Sequence, residues 1–286
     1  MAVFHPLEQV PDSHRGGAVA IGNFDGVHRG HLALIEAAKA ATATPDVSGP
    51  AGVLTFEPHP RSLFRPGETA FRLTTVESKM AALARTGIAF TAIADFDREF
   101  ADLSANAFIE QVLVEALVAK HVIVGSDFRF GRQRAGDIPA LEVAGRTFGF
   151  GVTALDQVSD EDDVYSSSRV RQHVAAGEMR EAAAILGQPW EVRAVVEDGD
   201  KRGRTIGFPT ANLRLGELIE PLNGVYAVRV KVDDPDGPVI GGPVIGGPVI
   251  GGPVIGGVAN FGRRPTVNDR GALLEVHLFD IDRDLY

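Results

Sequence analysis

The chain has no cysteine, which excludes disulfide bridges, thiolate-held metals and cysteine nucleophiles in one step. Positive charge is also short. Only 28 Lys and Arg stand against 38 Asp and Glu, a formal net charge of −10 at pH 7. That balance argues against a generic nucleic-acid or anionic-membrane binder, because such proteins need a basic footprint. Lysine itself is scarce, with five against 23 arginines. Arginine suits bidentate phosphate contacts, but codon composition accounts for the bias equally well. The first eleven residues lack a basic stretch followed by an apolar run, so no export signal is visible and a cytoplasmic location is expected. What remains is 286 residues, 44% hydrophobic and 23% charged. This composition describes a soluble globular protein long enough for two cores, of roughly 100–200 residues each.

From residue 18 to about residue 187, short β-branched runs alternate with longer helical patterns, as βαβ units around a parallel sheet do. Strands are predicted at 18–22, 52–56, 89–94, 121–125 and 151–155, with helices at 30–41, 76–85, 105–119 and 138–148. Thr74-Thr75-Val76-Glu77 has the form of a capping box opening the second of these helices. Two short helices, 169–176 and 178–186, are separated by Gly177, a natural helix terminator. After Gly187 the pattern changes to strand-like runs at 191–197, 224–232 and 273–281 without a convincing helix. A small antiparallel β domain, a barrel by its turn pattern, is expected there. The boundary falls near Gln188-Pro189, giving domains 1–188 and 189–286.

Residues 238–257 are four tandem copies of Pro-Val-Ile-Gly-Gly. A five-residue repeat sends equivalent side chains to alternating faces of a strand, and proline breaks ladder bonding. The uncharged run is no membrane helix either, with proline every fifth residue. The expectation is one expanded hairpin loop, mobile and outside the chemistry, since loops tolerate added length at low entropic cost.

Directly after the 18–21 strand comes Gly22-Asn23-Phe24-Asp25-Gly26-Val27-His28-Arg29-Gly30-His31, followed by a helix. Two histidines three apart on the first turn project from one side of a helix N-terminus, where free N–H groups and the dipole favour an anion. Gly26 and Gly30 let backbone approach a ligand without an intervening Cβ. Zinc is the rival reading, although helical zinc pairs usually stand four apart beside a carboxylate base.

This decapeptide resembles the HxGH-type nucleotidyltransferases, and more specifically the family of bacterial bifunctional riboflavin kinases/FAD synthetases. Further matches follow in order: Thr55-Phe56-Glu57-Pro58-His59-Pro60, Gly125-Ser126-Asp127-Phe128-Arg129-Phe130-Gly131 and Ser166-Ser167-Ser168-Arg169-Val170-Arg171. The last has Ser168 where the family more usually has Thr. In the second block, Gly203-Arg204-Thr205-Ile206-Gly207-Phe208-Pro209-Thr210-Ala211-Asn212 is similar to the riboflavin kinase signature. Gly224-Val225-Tyr226, Gly257-Val258-Ala259-Asn260-Phe261-Gly262 and Leu274-Glu275-Val276-His277 fit the same module. The resemblance implies a Rossmann-like α/β nucleotidyltransferase domain followed by a small antiparallel β-barrel. It also implies ATP, Mg²⁺ and flavin as the small-molecule partners, with no nucleic acid and no membrane. Riboflavin and FMN would be substrates and FAD the product.

The roles it implies are specific. His28, His31 and Arg171, with Arg169, would bind the phosphates of the adenylyl-transfer reaction, while Gly22, Phe24, Asp25, Gly26 and Gly30 would form the nucleotide turn. Ser166 and Ser167 would donate to phosphate or simply cap the helix beginning there. Asp127 would contact substrate or cap a turn. Phe56, His59 and Phe128 would line the flavin pocket or pack in the core. In the kinase half, Glu275 would be the base and Thr210 and Asn212 the Mg²⁺ ligands, with Gly203, Arg204 and Gly207 binding substrates. Glu275 alone also fits the polar face of a half-buried strand. The family's kinase module normally continues through another strand and a helix beyond the position of Tyr286, so a weakened kinase half is expected. Two further readings stay open: a nucleotidyltransferase for another small phosphate, and a flavin-binding protein with a decayed kinase domain.

Overall fold

The computed structural model describes residues 1–68, 70–161, 163–197, 209–233, 239–243, 254–263 and 272–279. The chain divides into two compact units, Met1–Glu68 with Lys79–Tyr165, and Thr69–Ser78 with Ser166–Tyr286.

The first unit is built on six parallel strands: β1 (Ala2–Phe4), β2 (Ala18–Ile21), β3 (Gly52–Glu57), β4 (Phe90–Asp95), β5 (His121–Gly125) and β6 (Gly151–Leu155). Their order is β1-β4-β3-β2-β5-β6. β2 and β3 are buried at every position, as strands covered on both faces must be. Alternation still sorts their side chains. Val19, Ile21, Leu54 and Phe56 enter one core, and Ala18, Ala20 and Val53 the other.

Helices α1 (Arg29–Ala41), α2 (Pro60–Phe64), α3 (Val76–Arg85), α4 (Arg98–Ala101), α5 (Ala105–Ala107) and α6 (Ile138–Phe148) follow the strands. The helix expected over 105–119 is instead a short α5 running into a π-helical stretch, Phe108–Ala116, which buries Phe108, Ile109, Val112 and Leu113. The cap of α3 also lies one residue later than the sequence suggested. Thr75 Oγ1 accepts from the Ser78 N–H at 3.2 Å, which places Glu77 second in the helix rather than third, where a capping box needs it. β1 escaped prediction because three residues at the end of a sheet show no period.

In the second unit, α7 (Ser167–Ala176) and α8 (Met179–Leu186) accompany six antiparallel strands. These are β7 (Val196–Glu197), β8 (Ala211–Leu213), β9 (Gly224–Asp233), β10 (Val239–Pro243), β11 (Ile255–Arg263) and β12 (Ala272–Leu278), ordered β10-β9-β11-β12-β8-β7. The strand expected over 191–197 is reduced to its last two residues. On β12, Leu274, Val276 and Leu278 are buried while Glu275 and His277 face the other way, the period of a half-covered strand.

The Pro-Val-Ile-Gly-Gly repeat is not wholly a loop. Residues of its first copy and Pro243 form β10 against β9, and Ile255 of its last copy opens β11. β10 ends the strand order and needs only one neighbour, which is where a strand tolerates proline, and its register shifts between Gly241 and Pro243.

The segment Thr69–Ser78 is joined to this unit by specific bonds. Phe71 and Arg72 N–H groups donate to the Glu217 carbonyl at 3.1 and 2.9 Å, and the Trp190 indole donates to the Leu73 carbonyl at 2.9 Å.

Candidate active sites

In the first unit the chain runs from β2 to β3 and β4 on one side, then returns to place β5 on the other side of β2. Such a reversal of strand order leaves a crevice beyond the carboxyl ends of the central strands, the usual ligand position in open α/β sheets. The loops after β2, β3 and β5 share this edge, so the sheet brings together Gly22–His31, Phe56–His59 and Asp127–Phe128.

The turn after β2 is strained. Phe24 and Val27 have φ of 49° and 44°, and Gly26 has 89°. Positive φ costs a bulky or β-branched residue about 1–3 kcal/mol. Burial offsets this, since Phe24 is fully buried and Val27 nearly so, each contributing about 2–3 kcal/mol of apolar transfer. Asp25 is buried as well.

His28 is the N-cap of α1, and its Nδ1 accepts from the His31 N–H at 3.4 Å. Accepting at Nδ1 requires the ring hydrogen on Nε2, the donor form a phosphate oxygen needs. The two imidazoles stack with centroids 3.7 Å apart, and Phe24 backs His31 at 4.9 Å. Gly30 leaves room for this pair. A Cβ there would lie 3.1 Å from His28 Cε1 and 3.1 Å from the Tyr165 carbonyl oxygen.

His59 is buried and caps α2, its Nδ1 accepting from the Arg61 N–H at 3.1 Å. Phe56 packs against Phe96 and Phe100, and Phe128 stacks on Phe130 with centroids 5.5 Å apart. Both rings pack against other aromatic side chains, and Phe128 remains partly exposed. Asp127 is exposed in the tight turn that Phe128 N–H closes onto the Gly125 carbonyl.

One group at this site escaped the sequence reading. Lys79 on α3 is fully buried and paired with Glu57 of β3 at 2.5 Å, and it donates to the Asn23 carbonyl at 3.2 Å. The available signal was a lysine set in the apolar stripe of an amphipathic helix, between Val76 and Leu83.

Ser166, Ser167, Arg169 and Arg171 belong to the second unit. Ser166 is the N-cap of α7, its Oγ accepting from the Arg169 N–H at 3.2 Å, while Ser167 is the first helical residue. Arg171 Nε donates to the Phe71 carbonyl at 2.7 Å, with its guanidinium 5.7 Å from the centre of the Phe71 ring.

A second polar constellation lies across the antiparallel sheet. Glu197, Asn212, Glu275 and Asn260 are successive register partners on β7, β8, β12 and β11. Directly opposed residues of an antiparallel sheet point to the same face. Asn212 is buried, and the Asn260 amide donates to Glu275 Oε2 at 3.5 Å. Arg214 pairs with Glu197 at 2.7 Å. His277 Nδ1 lies 2.9 Å from the Pro209 carbonyl oxygen, tying the residue before Thr210 to β12. Asn212 and Glu275 are legible in the sequence motifs but Glu197 as their neighbour is not, because register is not written in any one segment. Gly203, Arg204 and Gly207 lie outside the described residues.

The oxygens of Thr210, Asn212 and Glu275 suit a hard cation. Mg²⁺ typically takes one or two carboxylates, neutral oxygens, waters and substrate phosphates. Among the described residues, no group of three or more His, Asp or Glu side chains is arranged to hold a metal. No helix there is long and apolar enough to cross a membrane.

Residues 10–169 match the FAD synthetase family model and residues 186–286 the riboflavin kinase model. A bifunctional riboflavin kinase/FMN adenylyltransferase of Escherichia coli K12 is 40% identical over 282 residues, covering 99% of this chain and 83% of that one. The protein of the same description from Bacillus subtilis is 32% identical, over 99% and 84% of the two chains. A crystal structure titled as a macrolide-efflux protein from Streptococcus pneumoniae superposes with a TM-score of 0.81 at 28% identity, over 99% of this chain and 86% of that one. By both family models and by near-full-length identity, the chain belongs to the bifunctional riboflavin kinase/FMN adenylyltransferase family.

Proposed function

We propose that this protein makes FAD from riboflavin in two ATP-dependent steps, with residues 1–188 carrying adenylyl transfer and residues 189–286 the kinase reaction. The observation that carries the reading is the stacked His28–His31 pair at the N-terminus of α1, beyond the carboxyl end of β2. Flavin and ATP are the small-molecule substrates, and the cytoplasm is the location this reading assigns.

In the second step an FMN phosphate oxygen attacks the α-phosphorus of ATP, and the bond to the β-phosphate oxygen breaks to release pyrophosphate. A phosphate monoester with a second pKa of about 6 is already largely dianionic at neutral pH, so no general base is required. The protein's task is to position the reactants and to stabilise charge. His28 donates through Nε2 and His31 stands beside it, both at the positive end of the α1 dipole. Arg171, with Arg169 and the hydroxyls of Ser166 and Ser167, binds the departing pyrophosphate. Gly22, Phe24, Asp25, Gly26 and Gly30 shape the nucleotide turn, and Asp127 contacts the substrate. Phe56, His59 and Phe128 form the apolar wall toward the flavin.

The first step differs because the riboflavin 5′-hydroxyl is neutral. Glu275 accepts its proton as the oxygen attacks the γ-phosphorus and ADP leaves. Thr210 and Asn212 hold Mg²⁺, which supplies neutralisation of phosphate charge. Gly203, Arg204 and Gly207 complete the substrate contacts. The Pro-Val-Ile-Gly-Gly repeat takes no part in either reaction.

The test is direct. Purified protein given FMN, ATP and Mg²⁺ should form FAD and pyrophosphate, and His28→Ala should not; equal inertness of both proteins would defeat the reading.

A further inference from the structure

We infer that Lys79 is a positioning residue for adenylyl transfer, holding the turn that carries His28 and His31 through the carbonyl of Asn23. The inference rests on the assignment of that histidine pair to phosphate binding.

Lysine is among the residues least often fully buried, and Lys79 has no exposure at all. Stability gives no reason for it. A buried ion pair is commonly matched or exceeded by well-packed apolar residues of the same volume, and α3 presents an apolar stripe at this position. What an apolar residue cannot do is donate. The ammonium has three N–H groups, and the acceptors within reach include Glu57 Oε1 at 2.5 Å, the Asn23 carbonyl at 3.2 Å and Thr55 Oγ1 at 3.4 Å. The Thr55 hydroxyl then donates to the same Asn23 carbonyl at 3.1 Å. Thr55 and Glu57 are two apart on β3 and so share a face.

Two donors thus converge on one carbonyl, and its location matters. Asn23 immediately precedes Phe24, the first positive-φ residue of the turn. A peptide fixed there sets the direction in which the chain enters Phe24 and Val27, and through them the cap residue His28. Asn23 itself is exposed, whereas Phe24 through His28 are buried, so the restrained carbonyl stands where the chain passes from solvent into the packed turn. Without the two bonds, the strained residues can relax toward ordinary φ and carry the imidazoles with them. Displacements of about 1 Å in a preorganised site cost on the order of 100-fold in rate.

Three variants of the full chain test this. Lys79→Met should lower kcat for FAD formation from FMN by about 100-fold while KM for FMN changes by less than about threefold, the signature of lost transition-state positioning. The double variant Lys79→Met/Glu57→Leu removes the charge left behind. It should recover thermal stability and leave kcat low. Thr55→Val, nearly isosteric, removes one of the two bonds to Asn23 and should lower kcat by about tenfold. Riboflavin phosphorylation by the same proteins should stay at the wild-type rate. Full kcat in Thr55→Val, or recovery of kcat together with stability in the double variant, would overturn the inference. His28→Ala, assayed alongside, separates the two levels: full FAD formation there would sink the site assignment itself.

Discussion

The imidazole of His28 lies face to face with that of His31, ring centroids 3.7 Å apart and 24° from parallel. One backbone bond supports this stack, from the His31 N–H to His28 Nδ1, and it fixes the hydrogen of His28 on Nε2. Helix geometry alone would only place the two side chains on neighbouring turns. The cap bond makes them one donor surface.

Replacing either histidine should therefore damage the adenylyl transfer and leave the kinase step alone. His28→Ala and His31→Ala are each expected to lower kcat for FAD formation by about 100-fold or more, the usual loss when a charge-stabilising donor is removed. Steady-state assays of both reactions on the same preparation check this.

Gly30→Ala separates stability from activity. Alanine favours a helix over glycine by about 1 kcal/mol. The added Cβ would nevertheless lie 3.1 Å from His28 Cε1 and 3.1 Å from the backbone carbonyl oxygen of Tyr165. The ring must move. Thermal unfolding should be unchanged or slightly higher, while FAD formation falls by about tenfold.

Glu275→Gln keeps the side-chain shape opposite Asn260 and removes the base. Riboflavin phosphorylation should fall by about 100-fold or more, with FAD formation from supplied FMN unaffected. Loss of both activities would contradict the assignment of separate sites.

His121 at the start of β5 gives a pH dependence of stability. Burial disfavours its charged form and lowers its pKa below the usual value, and its Nε2 is 2.7 Å from the Thr153 hydroxyl. The unfolded chain therefore binds more protons than the folded one as the pH drops below about 6.5. Stability contributed by the neutral ring is complete above that pH and is lost as the pH falls through the folded pKa. His121→Gln should flatten the rise of Tm between pH 5 and 7. An unchanged slope would remove His121 as its source.

Much of this molecule was legible in its sequence, and the rest was hidden for identifiable reasons. The parallel strands announced themselves because β2 and β3 are buried on both faces and carry nearly continuous apolar runs. The His28–His31 turn was readable because its chemistry is contained in ten consecutive residues. Lys79 and Glu57 were not, since neither residue type nor local spacing says that a helix and a strand will bring them to 2.5 Å. The same holds for Glu197 and Asn212, whose pairing depends on how β7 meets β8. Thr69–Ser78 looked like the entry to a helix of the first block. Its bonds to Glu217 and Trp190, more than 100 residues away, place it with the second unit. β10 was read as loop because pattern rules assume a strand with two neighbours, and an end strand escapes them.

An HPLC time course of riboflavin with ATP and Mg²⁺ that resolves both flavin nucleotides is the decisive measurement of the two-step route. FMN should form first and then be converted to FAD by the wild-type protein, and His28→Ala should stop at FMN. FAD formation undiminished in His28→Ala, or no FAD from either riboflavin or supplied FMN, would contradict it.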